Sequence, residues 1–113
     1  MTWNQLQDKE LLDKIIEESQ ENPVVIFKHS TSCSISAMAL NRLERSWEDS
    51  EMSNVKAYFL DLIAYRDISN AIVEKFGVMH QSPQILLIKN GECVYDDSHM
   101  GISYQNLKTG VAA

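Results

Sequence analysis

The sequence predicts an α/β fold, a three-layer α/β/α sandwich enclosing a four-stranded mixed sheet. Three observations carry that expectation. Val24-Val25-Ile26-Phe27 is a continuous, largely β-branched apolar run of the kind that forms central parallel strands buried on both faces. Apolar residues at three-to-four spacing flank it on both sides and mark helices. Asn90-Gly91 separates two further apolar runs, the strongest short-range hairpin signal. Right-handed crossovers between parallel strands then put helices on both faces of the sheet.

Taken in order, Thr2-Trp3-Asn4-Gln5 fits a capping box, since the Thr2 hydroxyl and the Gln5 amide satisfy each other's backbone donors, and it predicts a first helix. Its inward stripe is Trp3, Leu6, Leu12, Ile15 and Ile16, and Asn22-Pro23 ends it because proline disfavours helical geometry in the residue before. The Val24 run is the first strand. A turn through Ser30 to Ser32 follows, then a helix on which Ile35, Ala39, Leu43 and Trp47 recur every fourth residue, with Cys33 at its start. Val55 to Leu62, interrupted only by Lys56 and Asp61, reads as a second strand. Ile68, Ile72 and Phe76 share a face of the next helix, and Gly77 is placed to close it in the left-handed conformation. Ser82-Pro83 leads into the hairpin strands Gln84–Ile88 and Cys93–Tyr95. A last helix begins near Ser103 and buries Leu107 and Val111. With no repeat, linker or low-complexity stretch, residues 1–113 read as one domain.

An apolar fraction of 44% is that of an ordinary globular protein, and a net charge of −6 argues against nucleic acid, which needs a basic face to neutralise phosphates. No stretch approaches the ~20 apolar residues that cross a bilayer, and Met1 to Glu10 has no secretion signal, so a cytoplasmic protein is expected. Two cysteines, Cys33 and Cys93, are too few for a secreted disulfide framework. Three scattered histidines with two cysteines make no metal-site pattern, and no metal is expected.

The Cys33 motif, Ser82-Pro83 ahead of a strand and the Asn90-Gly91 hairpin occur in an order that resembles the thioredoxin-like superfamily over nearly the whole chain, although that family's first edge strand is expected to be absent. More narrowly, Thr31-Ser32-Cys33-Ser34-Ile35-Ser36 resembles the motif of the monothiol bacilliredoxins, with Ser34 where some relatives carry proline. The resemblance implies removal of bacillithiol from protein mixed disulfides in the cytoplasm of low-GC Gram-positive bacteria. It implies no bound cofactor, bacillithiol as co-substrate, and S-thiolated client proteins as partners of a monomer.

The residues support thiol exchange in their own right. Only a thiolate attacks a disulfide, and a helix start stabilises one through its dipole and free N–H groups. At Cys33 those are the Ile35 and Ser36 amides and the Ser36 hydroxyl, which makes Cys33 and Ser36 the catalytic candidates. Thr31, Ser32, Ser34, Ile35, Ser82 and Pro83 are the substrate-binding candidates. From the residues alone a cis and a trans Pro83 both stay open; the resemblance implies cis, which would expose the Ser82 backbone to a bound chain as to an added strand. The position that holds a buried acid in many dithiol thioredoxins is Phe27 here, so the usual proton acceptor for a resolving thiol is missing.

Other readings stand beside these. Cys33 could be a buried structural thiol, although polar serines around a helix start argue otherwise. Cys93, in a strand, is expected to pack in the core, the alternative being a resolving thiol. His29 is expected to be solvated or capping, the alternative being a proton relay; His80 and His99 fit no pattern. Lys28 either faces solvent or favours an anionic thiol. Met38, Met52, Met79 and Met100 are expected in the core. An iron-sulfur carrier like the monothiol glutaredoxins shares Cys-x-x-Ser, but this chain lacks their glycine after the cysteine and their Thr-Val-Pro and Gly-Gly segments. A non-catalytic binding module is the third alternative.

Overall fold

All six residues of β2 (Val24–His29) are buried, as a strand covered on both faces requires. The structure, a computed structural model describing residues 1–113, sets β2 at the centre of a five-stranded sheet in the order β1 (Asn4–Gln5), β3 (Lys56–Asp61), β2, β4 (Gln84–Lys89), β5 (Glu92–Ser98). β3 runs parallel to β2, from Val24 opposite Lys56 to His29 opposite Asp61. β4 runs antiparallel to β2, with Lys28 opposite Gln84, and pairs with β5 through the expected hairpin. Asn90 and Gly91 both take positive φ, 53° and 77°, which is what a two-residue turn of matching twist demands.

The chain begins differently from expectation. Asn4–Gln5 form a short edge strand, β1, parallel to β3, and the Leu6 N–H extends the pairing to the Phe59 carbonyl at 2.9 Å. Thr2 to Gln5 is therefore not a capping box, the edge strand expected to be missing is present, and the sheet has five strands rather than four. Side-chain alternation explains it. Trp3 points to one face, against Phe27 and Phe59, while Leu6 is buried in the core of the other; a helix would have put both on one face. α1 starts only at Leu11 and runs to Glu18, after a turn in which the Asp8 carboxylate accepts the Glu10 N–H.

α1 and α3 (Arg66–Phe76) cover one face, burying Leu12, Ile15, Ile68 and Ile72 against Val24, Ile26 and Leu86. α2 (Ser34–Ser46) and α4 (Tyr104–Ala112) cover the other, burying Leu43 and Leu107 against Phe27, Ile85 and Leu87. Gly77 closes α3 with φ 67°, and Ser103 caps α4 by accepting the Asn106 N–H. Two expectations about the apolar stripes fail. Ile35 is 44% exposed, because the inward line of α2 is Ser36, Ala39 and Leu43. Of the four methionines expected in the core only Met52 is buried; Met38, Met79 and Met100 stand in solvent. No helix is long and apolar enough to cross a membrane.

Candidate active site

The C-terminal end of β2, the N-terminal end of β4 and the start of α2 meet at one end of the sheet. Ser30 to Ser32 join β2 to Cys33, whose extended backbone (φ −113°, ψ 119°) places it as the residue just ahead of α2. Its carbonyl accepts the Ala37 N–H at 3.3 Å, the first bond of that helix, and its N–H donates to the Ser30 carbonyl at 3.2 Å. Cys33 is a free, half-buried thiol whose sulfur accepts no hydrogen bond from a protein donor. Thr31, Ser32, Ser34 and Ile35 are exposed around it. An open thiol held rigidly at a helix start is suited to attack an incoming disulfide.

Ser36 is fully buried, and its hydroxyl oxygen accepts the Ser30 N–H at 3.1 Å. No hydrogen bond joins it to the Cys33 sulfur. Its place is that of a strut between α2 and the loop that carries the thiol. Across the sheet end the Ser82–Pro83 bond is cis. Pro83 directly precedes Gln84, the partner of Lys28, and its carbonyl accepts the His99 N–H at 3.0 Å. The Ser82 hydroxyl is buried without a hydrogen-bond partner.

Phe27 and Phe59 lie directly opposite each other on the α2 face, so the layer under the site is apolar at the strand position next to the motif. His29 continues that face. It is only 8% exposed, its ring centroid lies 5.2 Å from that of Phe59, and Nδ1 has no partner. Burial pulls its pKa down against the opposing pull of Asp61 and Glu44. It is a buried histidine, not the solvated or capping one expected, because the strand continues two residues beyond the apolar run.

Lys28 overturns its expectation more sharply. Its side chain is fully buried on the α3 face, where Nζ lies 3.5 Å from both the Ser69 carbonyl and His80 Nδ1, and burial brings its pKa down to about 8. It neither faces solvent nor offers a charge to an anionic thiol. His80, which fits no sequence pattern, is its neighbour. The signal was present: a lysine within a run of inward-facing strand residues must find a partner or bear the cost of burial.

Cys93 packs against the α1/α3 core, donates to the Tyr95 carbonyl at 3.3 Å, and is pushed up to about 11 by burial. It pairs with Ile88, which pairs with Val24 at the far end of β2. Five residues of strand, ~17 Å at ~3.3 Å each, separate that end from His29, ahead of Cys33. A disulfide needs Cα atoms within ~7 Å, so Cys93 does not resolve Cys33. No three of the His, Cys, Asp and Glu side chains gather where they could hold a metal ion.

Residues 4–107 match the family described as Monothiol bacilliredoxin BrxC. A solved thioredoxin-fold protein is similar at 31% identity with a TM-score of 0.80, over 94% of this chain and 90% of that one. The thioredoxin Mala s 13 of Malassezia sympodialis (17% identity, TM-score 0.72, 98% and 89% covered) shares the fold. So does the thioredoxin of Trypanosoma brucei brucei (18%, TM-score 0.70, 98% and 88% covered).

Proposed function

Because the chain belongs to the monothiol bacilliredoxin family, thiol redox proteins of thioredoxin fold, we propose that it removes bacillithiol from protein mixed disulfides, with Cys33 as nucleophile. The observation that carries this reading is the separation of the two thiols: one free at a helix start, the other partly buried against the α1/α3 core at the far end of the sheet, where it donates to the Tyr95 carbonyl. A protein with one usable thiol completes its cycle with an external one.

The Cys33 thiolate attacks the bacillithiol sulfur of the client's mixed disulfide. The client sulfur leaves as a thiolate and takes a proton from solvent, and Cys33 holds bacillithiol in a new disulfide. A second bacillithiol thiolate attacks the bacillithiol sulfur of that disulfide, releasing the Cys33 thiolate and oxidised bacillithiol. In the net exchange the client's mixed disulfide and one free bacillithiol thiolate become the client thiolate and oxidised bacillithiol: Cys33 reduces the client in the first step, free bacillithiol reduces Cys33 in the second, and the protein ends as it began. Attack on the client sulfur instead would leave client and Cys33 joined, with serine at position 36 unable to separate them. Exposed Thr31, Ser32, Ser34 and Ile35 meet the substrate, and the Ser82 backbone ahead of cis Pro83 pairs with the client chain. The reading takes the protein as a cytoplasmic monomer with S-thiolated clients as partners and no bound cofactor.

Turnover on a bacillithiolated client tests it. Cys33→Ser abolishes release of bacillithiol and Cys93→Ser retains most of it; equal loss in both would sink the single-thiol cycle.

A further inference from the structure

Lys28 is fully buried, yet none of the four ion pairs of the protein includes it. An uncompensated ammonium costs several kcal/mol to bury, and an aliphatic side chain would fill a central strand without that cost. Its contacts show what it holds. Nζ reaches the Ser69 carbonyl on α3 and His80 Nδ1 in the segment between α3 and β4, so one atom ties together β2, α3 and the loop that ends in Ser82–Pro83. His80 is exposed, but its Nδ1 edge lies over the lysine, where the Ser69 hydroxyl also approaches it at 3.3 Å. A neighbouring side chain holds the same loop. Gln84, the cross-strand partner of Lys28, donates from Nε2 to the Met79 carbonyl at 3.0 Å.

We propose that Lys28 and His80 are positioning residues, which fasten the loop before Pro83 to the sheet and so fix the Ser82 backbone at the height where a client chain pairs beside Cys33. The proposal rests on the reading of Ser82–Pro83 as client-binding backbone and gives that binding its support. Neither residue takes part in sulfur chemistry.

The contact sets the state of the ring. A lysine ammonium offers donors only, so the nitrogen facing it must accept, which makes His80 neutral with its proton on Nε2. The surroundings agree. Ser69 and Arg66 face the pair from α3, Gln84 from β4, and Leu60 stands opposite Lys28 on β3. No carboxylate is among the groups acting on either: burial alone lowers Lys28, and burial, Lys28 and Arg66 lower His80.

The experiment joins ring NMR, amide exchange and kinetics on the full chain. In the wild type, ¹⁵N shifts of His80 show an unprotonated Nδ1, and in Lys28→Met the His80 titration moves upward. In Lys28→Met and His80→Leu, amides of 77–82 exchange about tenfold faster relative to those of β4, a change of about 1.4 kcal/mol in local opening. KM for a bacillithiolated client rises about tenfold while kcat stays within about twofold, the split expected when only binding is lost. Alkylation of Cys33 by iodoacetamide, which uses no loop contact, stays within about twofold, and His80→Asn, which keeps an acceptor near the Nδ1 position, restores KM. A proton on Nδ1, unchanged loop exchange, or a fall in kcat equal to the rise in KM overturns the proposal. If the wild type does not turn over at all, the bacillithiol reading fails, and tautomer and loop exchange still decide the fastening.

Discussion

At Ser36 a single hydroxyl oxygen satisfies the buried N–H of Ser30 and so holds the loop in front of Cys33. Ser36→Ala leaves that N–H without a partner, which costs about 1–3 kcal/mol, read as a lower urea midpoint, and slows exchange by loosening the thiol's loop. Lys28 gives a pH signature. Its pKa is 10.5 in the unfolded chain and about 8 in the fold, so between those values the unfolded state binds more protons and stability rises with pH. Cys93 works the other way, from 9.0 unfolded to about 11 folded, and takes stability back as pH climbs through that range. Urea midpoints therefore rise from pH 7.5 to 9 in the wild type, and the rise is absent in Lys28→Met; a flat wild-type profile would contradict the buried ammonium. Cys33 was legible in the sequence because a helix start after a buried strand constrains it from both sides. Lys28 and His29 were not, because residue type alone does not say where a strand stops being covered.

Among the elements, α2, α3, α4 and the hairpin were legible because each has a repeating apolar stripe or a turn residue whose conformation only a few types adopt. β1 was not. A two-residue strand has no period, and Thr2 to Gln5 satisfies a capping pattern by composition alone. What holds it is tertiary: Trp3 packs on Phe27, Trp47 and Phe59, and its indole N–H donates to Glu44 at 2.9 Å. Trp3→Ala thus costs about 3 kcal/mol and raises amide exchange at Leu6, whose N–H pairs with β3; full protection in the variant would show that β1 pairs without the indole. At the end of α3, Gly77 has open space where a side chain would go but a φ of 67°, so Gly77→Ala acts through backbone strain alone and costs about 1 kcal/mol in a thermal melt.

Over the whole molecule, the thioredoxin-like order of motifs was readable because it is set by topology: the crossover strand brings Cys33 and the cis proline to the same end of the sheet. The distance between the two thiols was not readable, since it depends on the register through which Cys93, Ile88 and Val24 line up at the opposite end. That separation is the basis of the proposed exchange with an external thiol. The most direct test is the intact mass of the reduced protein and of a client carrying bacillithiol on one cysteine, before and after mixing. The client is expected to lose the bacillithiol mass and the protein to gain it on Cys33, with Cys93 unmodified. Unchanged masses, with a glutathionylated client equally inert, would contradict it.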